Sequence, residues 1–70
     1  MLSLEQFESL KEGDTIEAPG LFQNLDPSEP VALTVNEIKG DAKAFLVTYF
    51  GVTLGRWTCT RKEETLSWRT

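Results

Sequence analysis

The placing of glycine does most to limit what this chain can become. Gly13, Gly20, Gly40, Gly51 and Gly55 fall about one to a turn, where a residue without a Cβ lets the backbone reverse at no steric cost. All three prolines, Pro19, Pro27 and Pro30, crowd into residues 19–30. The apolar segments between these breaks are short. None approaches the ~20 residues of a membrane helix, and most have strand length at hairpin spacing.

Residues 3–11 are predicted as the one helix. Ser3 is a good N-cap and Gln6 follows at capping-box spacing, while Leu4, Phe7 and Leu10 share one face. Glu5 and Glu8 lie off that face, and Gly13 is expected to end the helix. So short a helix is not stable alone and must dock on the rest of the chain.

Strands are predicted at about 14–18, 31–39, 43–50, 54–61 and 64–69. In residues 31–39, Val31, Leu33 and Val35 alternate with Ala32 and Thr34. Residues 43–50 are apolar on both parities, with Phe45, Val47 and Tyr49 on one and Leu46, Thr48 and Phe50 on the other. A strand of that kind is usually covered twice, so its second face is expected to lie under the helix. Turns are expected at Gly40-Asp41, at residues 51–53 and at Lys62-Glu63, with Gly55 marking a bulge or bend. In the last hairpin, Arg61 opposite Glu64 sets Cys59 against Leu66 and Trp57 against Trp68. That register puts Trp57, Cys59, Leu66 and Trp68 on an apolar face and Arg56 against Arg69 on a polar one, where an anion or an acidic residue of the first half should sit.

The fold class expected is mainly β: a five-stranded antiparallel sheet curled into an SH3-like, partly open barrel with one short N-terminal helix. Residues 1–70 make a single domain, and residues 19–30 form a long loop between the first two strands. Cys59 is the only cysteine and there is no histidine. No internal disulfide and no structural zinc site is therefore available, so the fold rests on one small core worth about 3–5 kcal/mol.

The net charge of −4 is unevenly spread. Residues 1–42 hold two basic and nine acidic side chains, giving −7; residues 43–70 hold five basic and two acidic, giving +3. The balance argues against attraction of the whole surface to nucleic acid or anionic lipid. The N-terminal stretch has no basic flank and carries Glu5 and Glu8, unlike a secretory signal. With a lone thiol, that makes the cytoplasm the expected location.

Catalysis is not expected. General acid–base chemistry most often uses histidine, and nothing fixes the separation of the carboxylates Asp14, Glu17, Asp26 and Glu29. Cys59 reads as an inert core residue. No metal or cofactor is expected, and no family is identified. The expectation is a non-catalytic module that binds another protein or peptide through an acidic loop surface, Phe22, Asp26 and Glu29 with Glu17 beside them, as a monomer or weak homodimer. The alternative is single-stranded nucleic acid on the basic, aromatic-rich second half, through Arg56, Arg69, Arg61 and Lys62.

Overall fold

The computed structural model describes residues 2–18 and 30–70. One short helix, α1 (Leu4–Ser9), precedes five strands: β1 (Thr15–Glu17), β2 (Val31–Lys39), β3 (Ala42–Tyr49), β4 (Val52–Lys62) and β5 (Thr65–Arg69). The strands form one antiparallel sheet in the order β1-β2-β3-β4-β5. Each strand therefore pairs with its neighbour in the chain. β1 and β5 are the two edges, so the sheet is a partly open barrel that does not close.

Helix α1 begins as its sequence predicts. The Ser3 hydroxyl accepts from the Gln6 backbone N–H at 3.1 Å, and the Gln6 side chain accepts from the Ser3 backbone N–H at 2.9 Å. The end differs. Leu10 is already extended, at φ −74° and ψ 140°, so the helix stops before Lys11 and well before Gly13. The Lys43 ammonium serves the buried carbonyls at this end, donating to the oxygens of Phe7 and Leu10, the latter at 2.9 Å.

The core lies on one face of the sheet, and α1 covers that same face. Phe7, Leu10, Ala18, Val31, Leu33, Val35, Phe45, Val47 and Cys59 are buried together, with Ile16, Ile38, Trp57, Leu66 and Trp68 packed against them. This corrects the expected position of the helix. It sits over the Phe45 and Val47 side of β3, and the opposite side is left outward, with Leu46 36% and Phe50 66% exposed.

Two bulges curl the sheet. Val35 pairs with Phe45 but Glu37 pairs with Ala44, so Asn36 is an extra residue in β2. It reverses the alternation, letting Ile38 face the core although Val35 does too. In β4, Gly55 pairs with Val47 and Thr53 with Thr48, leaving Leu54 unpaired. Gly55 next to it has φ +150°, a conformation that L side chains rarely adopt.

One turn is tighter than predicted and another is shifted. Tyr49 pairs with Val52, so Phe50 and Gly51 alone make the β3–β4 turn and β4 starts two residues early. Lys62 pairs with Thr65, which moves the last turn from Lys62-Glu63 to Glu63 and Glu64. The last hairpin is consequently slipped by two residues. Cys59 opposes Trp68, Arg61 opposes Leu66 and Arg69 opposes Thr58. The expected Arg56–Arg69 pair does not form.

Candidate functional site

Three features of the molecule bear on function: the end of the β3–β4 hairpin, the outer face of the sheet, and the charges that link helix and strands. At the hairpin end, Phe50 and Gly51 both have positive φ, 50° and 77°. That is the twist a two-residue hairpin needs, and Asn-Gly is the usual choice. Phenylalanine there is an outlier, because its Cβ crowds the backbone in the left-handed region. Its ring meets that of Tyr49 edge-on at 4.6 Å. Beyond it, Val52 is 61% and Leu54 55% exposed. β5 pairs only with Thr58–Lys62 of the eleven-residue β4, so Val52–Trp57 run past it.

The outer face follows from the register. Alternation along each strand places Thr15, Glu17, Ala32, Thr34, Leu46 and Thr48 there. Glu17 pairs with Ala32, Ala32 with Thr48 and Thr48 with Thr53, so Glu17 stands in a row that ends beside the hairpin turn. Farther along, Glu37, Ala44, Thr58 and Arg69 form a second row. Around this second row the face is shallowly grooved. Glu37, Lys39, Ala42, Ala44, Arg56 and Thr58 line a cavity of about 220 Å³.

The acidic binding surface read from the sequence is split. Glu17 is exposed on β1, whereas Phe22, Asp26 and Glu29 lie outside the described residues. The four basic residues do not form one patch. Arg56 and Arg69 join Lys62 on the outer face, while Arg61 is on the core side, at the end of α1. Two are already paired. Arg56 meets Glu37 at 3.2 Å and Arg61 meets Glu8 at 3.2 Å. The acidic residue of the first half expected beside Arg56 is thus present, although the register that suggested it is not. Trp57 and Trp68 pack against the core, on the face opposite Arg56, and Trp68 meets Phe45 at 5.4 Å.

Lys43 and Glu37 were missed by the sequence reading. Lys43 looks like the first polar residue of an apolar strand, yet it is 6% exposed and lies over the Phe7 ring at 4.6 Å. Glu37 binds Lys39 at 3.2 Å as well as Arg56. The Lys39 hydrogen bond and charge, with help from Arg56, hold its carboxyl below the usual range. The pattern Glu-x-Lys on alternate strand positions was the available signal for the first pair. Nothing in the sequence joins Glu37 to Arg56.

The chemistry of Cys59 is set by burial. It is fully buried, and desolvation pushes its thiol up to about 11 although the Lys43 charge pulls the other way. A thiol so raised is a poor nucleophile at neutral pH. Among the described residues no group of three metal-ligating side chains comes together, and no helix is long and apolar enough to cross a membrane. No family model matches the chain, and no curated protein or solved structure matches it significantly.

Proposed function

We propose that this chain is a small non-catalytic, SH3-like binding module that docks another protein or peptide at the end of its β3–β4 hairpin. One observation carries the reading. Three large apolar side chains within five residues, Phe50, Val52 and Leu54, are each more than half exposed. Concentrated apolar exposure on a small domain marks an interaction site more often than scattered single residues do. The backbone conformation of Phe50 adds weight, because a strained position kept by a bulky aromatic points to a role for the ring. Glu17 stands in the same row as the turn-flanking Thr48 and Thr53. A partner with apolar anchors and basic flanks suits such a surface.

The test uses the chain as bait in a lysate, beside Phe50→Asn and Leu54→Asp. Asparagine tolerates the left-handed turn, so Phe50→Asn keeps the fold. The parent should recover a partner in stoichiometric amount, and both variants should lose it while melting cooperatively. Identical recovery by parent and variants would overturn the reading.

The alternative, single-stranded nucleic acid, draws support from Arg56, Lys62 and Arg69 sharing the outer face. It is the weaker reading because stacking needs aromatics beside the cations, and both indoles are on the other face. Titration with oligothymidylate at low salt separates the two, since phosphate binding would be strong there and fall steeply as salt is added.

A further inference from the structure

The groove on the outer face is separate from the hairpin end and has a character of its own. Ala42 and Ala44 make its floor, and their small side chains leave the cavity open between β2 and β4. Its rim is charged. Lys39 and Arg56 approach from opposite sides and both end on one carboxylate, Glu37, at 3.2 Å each. Two cations against one anion leave the groove with a surplus of one positive charge. Arg69, opposite Thr58 in the register, adds another at its β5 side. The second half of the chain, which supplies Arg56 and Arg69, carries +3 overall.

The resident carboxylate shows which group this geometry accepts. Glu37 accepts from the Arg56 guanidinium and meets the Lys39 ammonium. All three side chains are 40% or more exposed, so an entering carboxylate can exchange with Glu37 without opening the fold. A free carboxylate gains little there. An exposed ion pair is worth at most about fivefold in affinity. Occupancy needs a ligand that brings several such contacts along one chain.

We propose that the Glu37–Lys39–Arg56 groove binds an acidic segment of a partner protein, one of whose carboxylates replaces Glu37 between Lys39 and Arg56. Arg69 receives a neighbouring carboxylate of the same segment. Glu37 is then a stand-in for the ligand and a competitor to it. Nucleic acid fits less well, because among the described residues no aromatic side chain lines the groove to meet a base.

The experiment follows backbone amide shifts of the full chain during titration with a blocked hexaglutamate peptide. Sodium acetate, sodium phosphate and oligothymidylate are titrated in parallel. The peptide should give saturable shifts centred on Ala44, Arg56 and Thr58. Glu37→Gln should tighten binding by about two- to fivefold, and Arg56→Gln should weaken it by a similar factor. Phe50→Asn should leave the titration unchanged, which separates this site from the hairpin surface. The proposal is overturned by a peptide that causes no saturable shift, or by equal binding to the parent and Arg56→Gln. Saturation of the same amides by acetate or phosphate would mean an adventitious ion only, and tighter binding of oligothymidylate would assign the groove to nucleic acid.

Discussion

Burying Lys43 takes an ammonium out of water, and among the described residues no carboxylate meets it. Its hydrogen-bond partners are the Phe7 and Leu10 carbonyls, and the Phe7 ring lies under it. Hydrogen bonds to a charged group contribute more than neutral ones, so Lys43→Met should cost about 1–3 kcal/mol. Chemical denaturation checks this; an unchanged midpoint would mean that water serves the two carbonyls equally well. Phe50 works in the opposite direction. Asparagine relieves the left-handed strain, and Phe50→Asn should raise stability by about 0.5–1 kcal/mol, visible as a higher melting temperature. Cys59 gives a prediction in pH. Its folded thiol stands near 11, above the ordinary 9.0. The unfolded thiol therefore ionises first, so the contribution is intact below about pH 9 and is lost as pH rises towards 11. Denaturation of Cys59→Ala across that window should show a shallower loss than the parent.

At the level of elements, α1 depends on its docking rather than on its length. Phe7→Ala should cost roughly 3–5 kcal/mol, comparable with the whole stability of so small a domain, and the variant should be largely unfolded by circular dichroism. Ser3→Ala is the milder probe, at about 0.5–2 kcal/mol. The start of this helix was legible because Ser3 and Gln6 act locally. β2 was legible because Val31, Leu33 and Val35 alternate. The last hairpin was legible only in parity. Dividing apolar from polar positions fixes which side chains share a face, but a slip of two residues preserves every face. Trp68 therefore faces the core as expected while opposing Cys59 in place of Trp57. The bulge at Asn36 left a trace, since Ile38 breaks the alternation. The side of β3 that the helix covers left none, because Phe45 and Leu46 are equally apolar. The candidate site was less readable still. Exposure at Phe50 depends on its falling in a turn, and Glu37–Arg56 joins positions nineteen apart through strand pairing.

In the whole molecule, the uneven charge of the sequence is partly resolved by pairing across the halves. Glu8 meets Arg61 and Glu37 meets Arg56. These pairs are exposed and individually weak, so raising salt to about 0.5 M should change stability by less than about 1 kcal/mol. The order in which the parts become available has a further consequence. Sequential strand pairing lets the sheet grow one hairpin at a time, yet α1 is secured by Lys43 and Arg61, far downstream of it. During synthesis at about 5–20 residues per second, the helix waits several seconds for the side chains that hold it. Until then the carbonyls of Phe7 and Leu10 have no ammonium to meet them, so the docking of α1 is expected to come after the sheet has begun to form.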